Sequence, residues 1–105
     1  MPTPMAYLRG NFVPLEEASI PIMTHAFMYG TAVFEGVRGN WNAEQGELYI
    51  FRLEDHMRRL RQNAKILRIG IAATDEELAR IVIDLARRSE YREDVYIRPI
   101  AYKSQ

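Results

Sequence analysis

The sequence predicts an α+β fold, a mainly antiparallel sheet with helices packed on one face. Three observations lead there. Strand-like runs gather in the first half, two periodic helices follow, and one strand-like run closes the chain, giving the order β-β-β-β-α-α-β. Strands collected before helices, rather than alternating with them, favour antiparallel pairing over crossover units. The chain has 105 residues and no internal repeat, the size of one domain.

The elements follow in order. AYLRGNFVP reads as two short strands around the turn-forming pair Gly10-Asn11. Pro14 and Pro21 bracket LEEASI, an irregular connection with room for one helical turn. THAFMYG is short and apolar and stops at Gly30. Next, TAVFEGVRGNW alternates like a strand, and polar NAEQGE separates it from apolar LYIF. These two runs predict a β-hairpin pairing 32–38 with 48–51.

Leu53, Met57, Leu60, Ala64 and Leu67 recur at helical spacing, so 53–67 is a helix with one apolar stripe. TDEEL opens a second helix. Thr74 caps it, and Glu77 reaches back to complete a capping box. Leu78, Ile81, Val82 and Leu85 form its apolar face, and Arg87 and Arg88 suit its negative end. The last run, DVYIRPIAYK, contains Pro99, which has no N–H to donate. This strand therefore lies at an edge or carries an interruption.

Composition narrows the function. Hydrophobic residues make up 48% and charged residues 27%, the balance of a soluble globular protein. A formal net charge of zero argues against nucleic-acid or membrane-surface binding driven by bulk charge. There is no cysteine for disulfides or thiolate metal sites, and His25 and His56 are too far apart for ligand spacing. No apolar run approaches a membrane span of roughly 20 residues, and MPTPMAYLRG lacks the features of a signal peptide. The expected location is cytoplasmic. All basic residues but Lys65 and Lys103 are arginine, a residue suited to forked anion recognition.

Strand parity groups the candidate site residues. Ala32, Phe34, Gly36 and Arg38 share one face, with Val33, Glu35 and Val37 on the other. On the last strand Tyr96, Arg98, Ile100 and Tyr102 share a face. Arg38 and Arg98 could receive a carboxylate through a fork of hydrogen bonds. Phe34 and Tyr96 could wall an apolar pocket, and Gly36 would leave room for close approach. Each also has a plainer reading, with Phe34 in the core and the arginines in solvent. Glu35, an acid among apolar neighbours, has no same-face partner in Arg38. His56, Arg59 and Asn63 lie on one flank of the first long helix and face either a cleft or solvent. His25 reads as a structural histidine. No nucleophile, general base or phosphate-cradling glycine loop is evident.

MTHAFMYGTAVFEGVRG, FRLEDHMRRLRQNAKIL and VYIRPIAYK, in that order, resemble the N-terminal part of branched-chain amino-acid aminotransferases. These are class-IV, fold-type IV, pyridoxal-phosphate enzymes. The resemblance covers nearly the whole chain. It implies that residues 1–105 form the small N-terminal domain, without the C-terminal domain that carries the Schiff-base lysine. On that reading no residue here is catalytic, no metal is bound, and the chain alone is inactive.

The resemblance also implies roles. Arg59 holds the cofactor phosphate. Tyr29 and Phe34 wall the side-chain pocket, on the strand that Gly36 and Arg38 share. Tyr96 and Arg98 bind substrate carboxylates, Arg98 the distal one of glutamate. For Arg38 both substrate contact and support of Tyr96 stay open. The implied reaction moves an amino group between branched-chain L-amino acids and 2-oxoglutarate, in a homo-oligomer. Alternatives are an R-amine or D-amino-acid transaminase, or a binding and assembly domain without chemistry.

Overall fold

The alternating segment that reads as one strand is in fact two. In the computed structural model, which describes residues 2–104, β1 (Met5–Leu8) pairs with β2 (Asn11–Pro14). After a short 3-10 turn at Leu15–Glu17 comes α1 (His25–Tyr29). Then β3 (Ala32–Phe34) stops, and β4 (Val37–Asn42) begins beyond Glu35 and Gly36. β5 (Glu47–Ile50), α2 (Leu53–Ile66), α3 (Asp75–Ser89), β6 (Val95–Ile97) and β7 (Ile100–Tyr102) complete the chain.

The predicted hairpin of 32–38 with 48–51 is therefore corrected. β4 alone pairs with β5, Gly39 opposite Ile50 and Asn42 opposite Glu47. β3 pairs with β7 at the other end of the chain. The strand order is β5-β4-β6 in one sheet and β3-β7 in a second, all antiparallel. The single predicted sheet of five strands is thus seven short strands, with β1-β2 apart.

Pro99 explains the double interruption. Phe34 pairs with Ile100 and Val37 with Ile97, so Glu35 stands opposite Pro99 and Gly36 opposite Arg98. Glu35 N–H donates to the Pro99 carbonyl at 3.0 Å. Pro99 has no N–H to return, so the ladder loses a bond there. The register carries through without a slip, which keeps each side chain on its predicted face.

One face of the sheet is covered by helices. Val37 from β4 packs with Leu53 and Met57 of α2 and Ala79 and Val82 of α3, joined by half-buried Ile50, Leu78 and Ile97. Val37 is fully buried and Met57 is 1% exposed. Burying such side chains stabilises by about 1.5–3 kcal/mol each. Thr74 and Glu77 form the predicted capping box, side chain to backbone in both directions. Arg61 ties the loop between the helices, donating to Asp75 at 2.7 Å, to the Ile71 carbonyl at 3.0 Å and to the Ala73 carbonyl.

Two ends differ slightly from the sequence reading. The first turn is Arg9-Gly10, both with positive φ (52° and 86°), one residue before the expected pair. At the end of α2, Arg68 takes the left-handed position of a Schellman cap (φ 58°), with Arg68 N–H to the Lys65 carbonyl and Ile69 N–H to the Ala64 carbonyl. Ile69 is buried beside that cap, which offsets the cost of the conformation.

Candidate functional site

The face of the sheet without helices collects the residues that parity grouped on two separate strands. Residues directly opposite in an antiparallel pair share a face. Tyr96 lies opposite Arg38, Arg98 opposite Gly36, and Ile100 opposite Phe34. The two predicted groups are therefore one surface. It is open: Phe34 is 56% exposed, Tyr96 62% and Ile100 54%.

Gly36 is where Tyr96 rests. A β-carbon added at Gly36 would stand 2.0 Å from Tyr96 Oη and 2.7 Å from its Cζ. Only glycine lets the phenol lie across the strand here. Arg98 lies beside the two aromatic rings, its guanidinium carbon 4.7 Å from the Phe34 centroid and 5.6 Å from that of Tyr96. Such cation–π contacts hold a charged head against an apolar wall. Among the described residues neither Arg38 nor Arg98 makes an ion pair. This surface can take an apolar chain against Phe34, Tyr96 and Ile100 and a carboxylate at Arg98.

Tyr29 belongs to none of these strands. It lies on α1, 73% exposed, with its ring 4.6 Å from that of His25. His25 Nδ1 is 2.8 Å from Thr31 Oγ1, a structural role as its sequence context indicated.

On the helix-covered side, sequence reasoning missed the partners of Glu35. Only 5% exposed, Glu35 receives Arg59 in a fork, Nε to Oε1 and Oε2 at 3.0 and 2.9 Å and Nη2 to Oε1 at 2.7 Å. His56 Nδ1 lies 2.8 Å from the same Oε1. An ionised carboxylate only accepts, so His56 is the donor. The signal was available: parity puts Glu35 between Val33 and Val37 on the apolar face, and His56 and Arg59 share a helix flank. What the sequence lacked was the knowledge that this flank faces this strand.

The Arg59 hydrogen bond holds the Glu35 carboxyl below its ordinary value of 4.5, against a burial effect that would raise it. The protonated form is thus disfavoured in the folded state. Stability from the ionised group is full above the ordinary value and is lost as pH falls through the lowered one. Glu77, lowered by its bonds to Thr74, acts in the same direction. The expected result is a stability that declines on acidification below about pH 4.5, and less steeply in Glu35→Gln. Urea midpoints across that range measure it, and equal slopes would reject it.

Beside Glu35, Arg52, Asp55, His56, Arg58, Arg59 and Gln62 line a depression of about 340 Å³. Asp55 pairs with Arg52 at 3.0 Å and Arg58 at 2.7 Å. Arg59 uses only the Nε and Nη2 side of its guanidinium on Glu35. Three N–H groups stay unclaimed, both on Nη1 and one on Nη2, and one from each terminal nitrogen forms a pair of donors spaced for two oxygens of an anion. The donor set fits a phosphate group. Among the described residues no group of three or more His, Asp or Glu side chains could hold a metal ion. No described helix is long and apolar enough to cross a membrane.

Comparison with known proteins places these features. The amino-transferase class IV family model matches residues 32–105. A probable branched-chain-amino-acid aminotransferase of Aquifex aeolicus is 52% identical over 97 residues, covering 92% of this chain and 31% of that protein. The crystal structure of a branched-chain aminotransferase from Thermoproteus uzoniensis with norvaline superposes at a TM-score of 0.85 with 45% identity. It covers 91% of this chain and 32% of the other. A branched-chain amino acid aminotransferase from Thermobaculum terrenum, in its PLP-form, also gives 0.85, with 43% identity, covering 96% of this chain and 33% of that one. The chain spans about a third of the length of these relatives.

Proposed function

The chain belongs to the class IV aminotransferase family, and from that premise we propose that it is the N-terminal domain of an enzyme moving amino groups between branched-chain L-amino acids and 2-oxoglutarate. The observation that carries this reading is the open face, where Arg98 lies against Phe34 and Tyr96. A transaminase for these substrates must admit an apolar side chain in one half-reaction and a second carboxylate in the other. Phe34, Tyr96 and Ile100 serve the first need, and Arg98 serves the second. Gly36 gives Tyr96 its place, and Arg38, opposite Tyr96, either supports it or meets substrate. Tyr29 is assigned to the pocket by resemblance alone.

Pyridoxal phosphate, when bound, supplies the carbonyl that accepts the amino group and a ring that stabilises negative charge at the substrate α-carbon. Arg59 would hold its phosphate, using the donors that Glu35 leaves free. Neither lysine of the chain stands on the open face. Lys65 is exposed on α2, and Lys103 N–H pairs with the Thr31 carbonyl, which by parity places it with Ala101 on the helix-covered side. By family resemblance we assign the covalent step to the C-terminal part of the relatives' length, and residues 1–105 alone are expected to be inactive.

The apolar surface of α1 and its approach, with Ile22, Met23, Phe27 and Tyr29 all more than two-thirds exposed, suits contact with a second copy in a homo-oligomer. The test of the reaction is substrate profiling of the full-length protein. Turnover of L-leucine with 2-oxoglutarate, without turnover of D-alanine or an R-amine, is expected. The reverse preference would move the enzyme to another branch of the family, and no turnover of any amine would reject the reading.

A further inference from the structure

We propose that Glu35 is a positioning residue for the cofactor phosphate, acting through Arg59. The inference rests on the pyridoxal-phosphate reading above and deepens it. Glu35 sits where β3 ends, and its backbone N–H is fixed to the Pro99 carbonyl at 3.0 Å. Its carboxylate is buried on the side facing α2, while the Arg59 side chain is 61% exposed. A buried anchor thus grips a solvent-facing cation. Left alone, a guanidinium on an exposed helix flank samples many rotamers, and fixing it costs conformational entropy on each binding event.

The fork removes that freedom. Glu35 claims the Nε–Nη2 edge, and the planar group then has one remaining orientation for its terminal edge. His56 donates to Oε1 from the same helix, which fixes the carboxylate from a second side. Glu35 therefore orders the phosphate donor before the cofactor arrives. The arrangement also accounts for the break in the strand. Gly36 and Glu35 are neighbours that serve opposite sides of the sheet. Gly36 seats Tyr96 toward the open face, and Glu35 reaches back to the helix.

The experiment compares binding of pyridoxal phosphate and of phosphate-free pyridoxal to the full-length protein. Wild type, Glu35→Gln, Arg59→Ala and the double variant are titrated. Glu35→Gln is expected to weaken pyridoxal phosphate about tenfold, as loss of an ordered charged contact does, while pyridoxal changes less than about twofold. The double variant should bind pyridoxal phosphate no more weakly than Arg59→Ala, because Glu35 acts only through Arg59. Equal weakening of both ligands by Glu35→Gln would make the residue merely structural and overturn the proposal. Additive losses in the double variant would also overturn it. Wild type without preference for pyridoxal phosphate over pyridoxal would sink the cofactor reading itself, and this proposal with it.

Discussion

Arg98→Ala is expected to cut kcat/KM of the full-length enzyme for glutamate by about 100-fold, and for leucine by less than about tenfold. The difference follows from charge. Arg98 is held against Phe34 and Tyr96, so in the absence of a carboxylate it contributes mainly an alkyl stem to an apolar wall. With a second carboxylate in place it would form a charged fork, and its removal leaves that carboxylate without a partner. Stability should change little, because surface substitutions away from special features fall within about 0.5 kcal/mol. Steady-state kinetics with both substrates measure the ratio. Equal losses would remove Arg98 from distal-carboxylate recognition.

Met57→Ala is expected to destabilise the fold by about 2–5 kcal/mol. Met57 is 1% exposed and joins α2 to Val37, Leu53, Ala79 and Val82. Truncation leaves a cavity between both helices and the sheet. Domains of this size hold only about 5–15 kcal/mol in all, so the loss is a large share. Ile66, 77% exposed near the end of the same helix, provides the control, and Ile66→Ala should shift stability by less than about 0.5 kcal/mol. Urea unfolding followed by fluorescence of Trp41, the single tryptophan, reports both. Similar small effects at the two positions would mean that the core lies elsewhere.

Local features were legible in the sequence because their causes are local. The stripe of Leu53, Met57, Leu60 and Ala64 defines α2, and the Thr74–Glu77 box fixes the start of α3. Gly30 ends α1 in the left-handed conformation. Parity also survived, since the break at Glu35 and Gly36 keeps the register, and the grouping of Phe34 with Arg38 and of Tyr96 with Arg98 holds.

Partner choice was not legible. β3 finds β7 across most of the chain, where the hairpin reading gave it β5. Hairpin rules see only neighbours in sequence, whereas Pro99 and Glu35 meet because both strands are interrupted at one level. The Glu35–Arg59–His56 cluster was hidden for the same reason. Its members are individually ordinary, and only tertiary packing brings a strand acid to a helix flank. The Arg59 role implied by the family resemblance gains from this a partner that no motif named.

The most direct test of the account is a crystal structure of the full-length protein with 2-oxoglutarate bound. The ligand is expected on the open face, its distal carboxylate within hydrogen-bond reach, about 3 Å, of the Arg98 guanidinium, with its carbon chain beside Phe34 and Tyr96. A ligand bound away from this face, or with Arg98 still stacked on Phe34 and no carboxylate near it, would contradict the account.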